Sequence, residues 1–240
     1  MFRRAIGRFL IAMVVATVAA PALLPAQPSQ RAERDAAAMR RIEAESFAAI
    51  RADPGLMTVV REAGARLFAE HCAACHGADA AGGKGVSSLR AGSWRWGGDP
   101  ETIVETIRVG INASHRDTRM SQMAPFGPRG LLTRPEAESV VAYVRTLSDP
   151  AAAREGPAER IDEGRAIFAS DCASCHGADG KGKRAVGAPD LTDPTWTHGG
   201  DPEAIFASVW SGRKGEMPAW EDRLGPAERK ILALHVIALQ

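Results

Sequence analysis

The chain has 240 residues, of which 45% are hydrophobic and 25% are charged, as in an ordinary globular protein of one large or two small domains. The 30 Lys and Arg residues nearly balance the 29 Asp and Glu residues, so neither a nucleic-acid partner nor an acidic disordered tail is expected. Aromatic residues make up only 5% of the chain, which predicts small cores or cores filled by something other than side chains.

The N-terminus has the pattern of a membrane-targeting segment. Arg3, Arg4 and Arg8 precede an apolar run from Phe9 to Leu24, and positive charges before such a run mark an export signal or an anchor. The run is longer than a typical signal-peptide core and shorter than a typical membrane span. We expect residues 1–28 to anchor the chain in the inner membrane with the remainder on the periplasmic side. Cleavage and release into the periplasm is the alternative.

A charged helix is predicted to follow this segment. Ser29 can cap its start, and Asp53-Pro54-Gly55 is typical of a helix end. Its apolar residues form only a thin stripe: Ala36, Met39, Phe47 and Ile50. We therefore expect residues 29–55 to form one spacer or docking helix that is not part of a core.

The rest of the chain contains an internal repeat. Three pairs of segments match: 64–72 with 164–172, 94–100 with 196–202, and 136–147 with 228–239. Each copy reads as a helix, two cysteines, a Gly-rich loop, a second helix, a methionine-containing loop and a closing helix, without an alternating strand pattern. This predicts an all-α protein with two tandem helical domains, residues 56–148 and 161–240, joined by a linker at 149–160.

Each copy contains Cys-x-x-Cys-His, the attachment motif of c-type haem. Two intervening residues let both sulfurs reach the two vinyl groups on one edge of the porphyrin, and the adjacent histidine can then ligate the iron. The sequence therefore predicts two covalent haem c groups, attached through Cys72 and Cys75 and through Cys172 and Cys175. The predicted proximal iron ligands are His76 and His176.

Other chemistries of paired cysteines fit this pattern less well. A thioredoxin-like site would need a βαβ context, which the sequence does not show. One zinc site built from both pairs would not require a separate histidine and Gly-rich loop in each repeat. A disulfide framework would leave both histidines unexplained.

Methionines in the loops before the closing helices are candidates for the sixth iron ligand. Met217 is the only methionine after Cys172, and Met123 has the matching context in the first copy, with Met120 as an alternative. Ligation by histidine and methionine raises the reduction potential of a haem and leaves no open iron position. The pattern favours electron transfer over the binding or activation of a small molecule.

The positions of several other residues also indicate their roles. In the second copy, the carbonyl of Pro189 is predicted to accept a hydrogen bond from the proximal histidine. In the first copy, a carbonyl within residues 86–89 is available for the same role. Tyr143 and His235 occupy equivalent positions of the closing helices, which indicates a helix-packing role.

Four tryptophans could pack on a haem, donate to its propionates or fill an ordinary core: Trp94, Trp96, Trp196 and Trp220. An insertion in the first copy, which includes 112–119, is either a partner contact or a tolerated loop.

Taken together, residues 30–240 resemble subunit III of cbb3-type cytochrome c oxidase, the membrane-anchored dihaem cytochrome c subunit. The similarity extends beyond the haem motifs to Trp94-Arg-Trp-Gly-Gly, Thr106-Ile-Arg-Val-Gly-Ile, Ser121-Gln-Met123, Gly187-Ala-Pro-Asp-Leu-Thr-Asp and Gly212-Arg-Lys-Gly-Glu-Met217-Pro-Ala-Trp220. The resemblance implies that Cys72, Cys75, His76 and Met123 hold the first haem. It implies that Cys172, Cys175, His176 and Met217 hold the second.

The resemblance also implies partners and a function. The chain would relay electrons from a donor cytochrome c to the haem–copper catalytic subunit, beside a monohaem cytochrome c subunit, without a catalytic residue of its own. An independent periplasmic dihaem cytochrome c that serves a dehydrogenase or reductase is the alternative. A dihaem peroxidase is a third possibility and would need one iron with an exchangeable ligand.

Overall fold

The computed structural model describes residues 30–92 and 94–240, and these residues form a helical protein. The anchor expected at residues 1–28 lies outside the described residues. Within the described ranges, no helix combines the length and the apolar character needed to cross a membrane.

The elements follow one another as helices with two short strands between them. The α-helices are α1 (Gln30–Ala44), α2 (Phe47–Ala52), α3 (Pro54–His71), α4 (Ala73–His76), α5 (Pro100–Val109), α6 (Arg134–Ser148), α7 (Ala158–Ile167), α8 (Ala173–His176), α9 (Pro202–Ser211) and α10 (Pro226–Ile237). A π-helical turn at Phe168–Cys172 connects α7 to α8, and 3₁₀ turns lie at Pro150–Arg154 and Arg184–Val186. Strands β1 (Gln122–Met123) and β2 (Arg213–Lys214) pair antiparallel. The predicted helical class is confirmed.

The second helix of each repeat begins at an Asp-Pro dipeptide. The carboxylate of Asp99 accepts a hydrogen bond from the Thr102 backbone N–H, and that of Asp201 accepts one from the Ala204 N–H. An aspartate cap followed by a proline in the first turn is a favoured helix start, because it satisfies a free N–H and presets φ. These two equivalent caps give α5 and α9 the same register in their repeats.

The expectation of a single N-terminal helix outside any core is wrong. The helix is interrupted between α1 and α2, where the Ser46 hydroxyl caps α2 by accepting from the Ala49 N–H at 3.2 Å. Ile42, Phe47 and Ile50 are buried against α3 and α10 in the first core. The bend turns the few apolar residues of α1 and α2 towards the first core. A thin apolar stripe is therefore enough to pack both helices against it.

The described residues form two hydrophobic cores, and each core takes helices from both repeats. In the first core, α3 and α5 of the first repeat pack against α10, the closing helix of the second. In the second core, α7 and α9 of the second repeat pack against α6, the closing helix of the first. The closing helices are therefore exchanged between the repeats.

A glycine marks the place where each closing helix crosses its partner. A Cβ atom at Gly64 would lie 2.7 Å from the Cβ of His235 on α10, and one at Gly164 would collide with the Ser139 carbonyl on α6. Next to these crossings, His235 contacts the Phe68 ring and Tyr143 contacts the Phe168 ring, with centroid distances of 5.8 and 5.3 Å. The predicted helix-packing role of the equivalent residues Tyr143 and His235 is confirmed, but each packs on the leading helix of the other repeat.

The short connection between the repeats explains the exchange. Only residues 149–157 separate the end of α6 from the start of α7. A connection of this length keeps α7 close to α6, and the two helices pack against each other. Once α7 is covered by α6, the exposed face of α3 is left for α10.

Candidate haem centres

Each Cys-x-x-Cys-His motif forms a short helix at the end of the leading helix of its repeat. Cys72 and Cys172 are half-buried, whereas Cys75 and Cys175 are exposed, and none of the four is in a disulfide. Cys72 packs on the first core and Cys172 on the second. Because the two pairs belong to different cores, one zinc site shared between them does not fit this arrangement.

The inner thiol of each pair is neutral. Burial raises the pKa of Cys72 to about 11, with a smaller contribution from Cys75. Burial also raises the pKa of Cys172 to about 11, assisted by Asp171 and Cys175. Neutral, half-buried thiols suit packing against an apolar porphyrin edge.

Both motif histidines are oriented through one ring nitrogen. His76 Nδ1 lies 3.2 Å from the Ser87 carbonyl oxygen, and His176 Nδ1 lies 3.3 Å from that of Pro189. The predicted Pro189 acceptor is confirmed, and Ser87 lies within the range predicted for the first copy. Burial lowers the pKa of His76 and His176, and the carbonyls partly oppose this. A neutral imidazole that donates from Nδ1 has the lone pair of Nε2 free for a metal ion.

The Gly-rich loops carry the carbonyls that orient these rings. Gly82 donates its N–H to the His76 carbonyl at 2.8 Å, and Gly182 donates to the His176 carbonyl at 2.7 Å. Both glycines have positive φ, 77° and 75°, and a Cβ on either would strike the backbone that follows. Glycine is therefore required for the loop to turn back and bring Ser87 or Pro189 to the histidine.

The backbone of Met217 lies against the first repeat. Its N–H and carbonyl each form a 2.9 Å hydrogen bond with Ile111, the second residue after α5. A few residues later, the Trp220 N–H donates to the Ile107 carbonyl at 3.1 Å, and the Trp220 side chain packs on the first core. Met217 is thus held beside the second helix of the first repeat.

Met123 lies against the second repeat in the same way. It pairs with Arg213 in the two-stranded sheet, immediately after α9. The Phe126 N–H then donates to the Val209 carbonyl at 3.2 Å. The Met123 side chain packs on the second core, the core that includes Cys172.

These positions differ from the ligand pairs expected from sequence order. The loops that carry Met123 and Met217 lead directly into α6 and α10, so the exchange of these helices moves each methionine to the other repeat. The described residues bring Met217 towards the half that contains His76, and Met123 towards the half that contains His176. The alternative candidate Met120 is 63% exposed, which does not favour it as a ligand.

Aromatic side chains line both cores next to the cysteines. Trp94 and Trp220 pack on the first core, and Trp196 on the second. Trp210 and Phe206 also pack on the second core, stacked with a centroid distance of 5.5 Å, and were not singled out from the sequence. Each centre combines a cysteine pair with a neutral inner thiol, an oriented imidazole, a methionine and indole rings, and this set fits a c-type haem.

The fold and the two centres define a c-type cytochrome. The family model described as Cytochrome c matches residues 61–148, and that described as Cytochrome C oxidase, cbb3-type, subunit III matches residues 159–236. Both matches coincide with the repeats identified from the sequence.

Curated relatives share most of the chain. The Cbb3-type cytochrome c oxidase subunit FixP of Bradyrhizobium diazoefficiens is 39% identical over 201 residues, covering 84% of this chain and 68% of that protein. The Cbb3-type cytochrome c oxidase subunit CcoP of Cereibacter sphaeroides is 40% identical over 209 residues, covering 87% of this chain and 71% of that protein. The chain belongs to the family of cbb3-type cytochrome c oxidase subunits named FixP and CcoP, and the resemblance read from the sequence is confirmed.

Proposed function

We propose that this chain is the dihaem electron-transfer subunit of a cbb3-type cytochrome c oxidase. It takes electrons from a donor cytochrome c and passes them towards a haem–copper catalytic subunit. The observation that carries this proposal is the duplicated centre, in which each half offers a cysteine pair with a neutral inner thiol and an oriented imidazole. The similarity to FixP and CcoP gives the oxidase as the destination of the electrons.

Each centre holds one haem c through its own motif. Cys72 and Cys75 attach the first haem, and Cys172 and Cys175 attach the second. A bound haem supplies reversible one-electron chemistry at its iron. The protein residues attach the ring, orient the imidazole through a carbonyl, and exclude water with the surrounding aromatic side chains.

The sixth ligands are crossed between the repeats in this proposal. Met217 ligates the haem of His76, and Met123 ligates the haem of His176. The support is the backbone pairing of Met217 with Ile111 and of Met123 with Arg213, together with the packing of Met123 on the core of Cys172. A haem held by a histidine and a methionine in this way would have no open iron position, which would suit it to electron transfer.

Crossed ligation makes the two centres structurally dependent on each other. Neither repeat can complete its core or its ligand set without the closing segment of the other. Because the two halves share their closing segments, they would hold two bound haems within one folded unit.

The partners and the location follow from the same assignment. Residues 1–28 anchor the chain in the inner membrane, because three arginines precede their apolar run. The haem centres then lie on the periplasmic side, next to the haem–copper subunit and a monohaem cytochrome c subunit. α1 and α2 connect the anchor to the first core.

Affinity purification of the full-length chain from detergent-solubilised membranes tests this function. The haem–copper subunit should co-purify, and mass analysis of the chain should show two covalently added haem groups. A chain that carries both haems but purifies alone would contradict the oxidase assignment and favour the independent periplasmic cytochrome. Fewer than two added haem groups would contradict the dihaem assignment itself.

A further inference from the structure

Three half-buried arginines lie where the two repeats meet. Among the described residues, none of them donates a hydrogen bond to a carboxylate. Arg95 donates to the Thr197 hydroxyl at 3.5 Å across the boundary between the repeats, which we call the seam. Arg119 donates to a backbone carbonyl, and Arg213 donates to a backbone carbonyl and a hydroxyl. Half-buried cations that no carboxylate of the chain hydrogen-bonds are suited to bind an anion supplied from outside the polypeptide.

Arg119 and Arg213 reach equivalent places in the two repeats. Arg119 Nη2 lies 3.4 Å from the carbonyl oxygen of Thr102, and Arg213 Nη2 lies 3.4 Å from that of Ala204. Thr102 and Ala204 are the third residues of α5 and α9. The arginines themselves are not equivalent in sequence, because Arg119 belongs to the insertion of the first repeat and Arg213 is the second residue after α9. The two arginines thus reach equivalent places in their repeats from unrelated sequence positions, which points to a shared role.

The backbone of each arginine also lies beside the segment that carries one of the two methionines. The Arg119 N–H donates to the Gly110 carbonyl at 3.1 Å, which places Arg119 beside Ile111, the residue that pairs with Met217 on its other side. Arg213 pairs with Met123 directly. Arg119 therefore belongs to the first centre and Arg213 to the second.

The environment of Arg119 leaves part of its guanidinium unsatisfied. Its Nε is buried and has no hydrogen-bond partner, and its guanidinium carbon lies 5.5 Å from the centre of the Trp96 ring. Burial lowers the pKa of Arg119, while Glu105 and Asp99 oppose this without a hydrogen bond to it.

The seam is positively charged near Arg213 as well. Burial lowers the pKa of His198, and the charges of Arg213 and Arg95 lower it further. These cations therefore act on the same region of the seam.

We propose that Arg119 binds a propionate of the first haem and that Arg213 binds a propionate of the second. This inference rests on the proposed function, because it requires a haem in each centre. A haem c brings two carboxylates on the edge opposite its thioether bonds, and the planar guanidinium matches a carboxylate with two parallel hydrogen bonds. Both arginines are cofactor-positioning residues whose charge favours the reduced state of the nearer haem.

Redox titration of the full-length, purified protein tests the proposal, with haem content measured by mass. Arg119→Gln and Arg213→Gln remove one charge each, and Arg116→Gln is the matched control because its side chain is 89% exposed in the same insertion as Arg119. Loss of a cation close to the haem should lower the equilibrium constant for reduction by about 5- to 30-fold. The two variants should shift different components of the two-haem titration, and the control should change neither component more than about twofold.

The outcomes separate this inference from the proposed function. Arg119→Gln and Arg213→Gln proteins that carry two haems but titrate like Arg116→Gln would overturn the propionate contacts alone. A shift of the same component in both variants would overturn the assignment of one arginine to each haem. A wild-type chain without covalent haem would instead overturn the proposed function.

Lysine variants keep the test decisive if a glutamine variant does not mature. Arg119→Lys and Arg213→Lys retain the charge but lose the two-pronged contact. In each lysine variant, the equilibrium constant for reduction of the affected component should fall less than in the corresponding glutamine variant. A lysine variant with an unchanged titration, where the glutamine variant gives no mature protein, would count against the contact.

Discussion

Gly64 of the first repeat packs directly against His235 of the second. A Cβ atom on Gly64 would lie only 2.7 Å from the His235 Cβ, so α3 and α10 leave no room for a side chain at this crossing. The equivalent approach of Gly164 to Ser139 joins the repeats in the opposite direction. These two crossings make each closing helix part of the other repeat's core, and they move the methionine loops with them.

The tighter crossing should not tolerate a methyl group. In Gly164→Ala the new Cβ would collide with the Ser139 carbonyl, which is backbone and cannot rotate away. We expect a loss of about 1–3 kcal/mol in the free energy of unfolding, measured by denaturant titration. Gly156→Ala is the control, because nothing lies within 4 Å of its Cβ position. Equal stabilities of the two variants would contradict the close crossing.

Lys230 should hold the N-terminal helices on the first core. Its ammonium donates to the carbonyls of Ile42, Glu43 and Glu45 at 3.1, 2.7 and 2.8 Å, where α1 ends. Lys230→Met leaves those carbonyls without this donor and should cost about 1–2 kcal/mol. Hydrogen exchange should rise around residues 42–46, and Lys84→Met, which changes an exposed lysine, should leave it unchanged. Unaltered exchange in Lys230→Met would show that α1 is held without this contact.

Glu221 should make stability depend on acid pH. Hydrogen bonds from His115 at 2.7 Å and Arg108 at 2.9 Å lower the pKa of Glu221 to about 2, and they tie the segment after Met217 to α5. Because the pKa is lowered on folding, the stabilisation is complete above about pH 4.5 and is lost as the pH falls towards about 2.

The difference in stability between wild type and Glu221→Gln measures this effect, since other carboxylates titrate in both proteins. It should shrink as the pH is lowered from about 4.5 to about 2. Asp222→Asn, at the exposed neighbouring position, should show no such convergence. A difference that stays constant with pH would mean that Glu221 does not gain its stabilisation from Arg108 and His115.

Local motifs could be predicted from the sequence because they contain their own geometry. Asp99 and Asp201 each cap a helix that starts at the following proline, and the Pro189 carbonyl reaches His176 through a loop that only glycine permits. These interactions span few residues, so the spacing in the sequence is sufficient to define them.

The exchange of the closing helices could not be read from the same patterns. Tyr143 and His235 have equivalent apolar surroundings, so either closing helix satisfies the periodicity of either core. The choice depends on the short connection between α6 and α7, which is a property of the whole chain.

Arg119 was missed for a related reason. In sequence it is one charged residue in a loop insertion, and its place beside Thr102 arises only when the chain has folded. Burial of Ile42 was missed because a bend at Ser46, and not a broad apolar stripe, brings α1 onto the core.

Near-infrared absorption of a single-haem protein tests the crossed ligation most directly. In full-length protein with Cys172→Ala and Cys175→Ala, only the haem at Cys72 and Cys75 remains attached. Its methionine–iron charge-transfer band should disappear on adding Met217→Ala and persist on adding Met123→Ala. A band that is lost with Met123→Ala and kept with Met217→Ala would contradict the crossed arrangement and restore the pairing expected from sequence order.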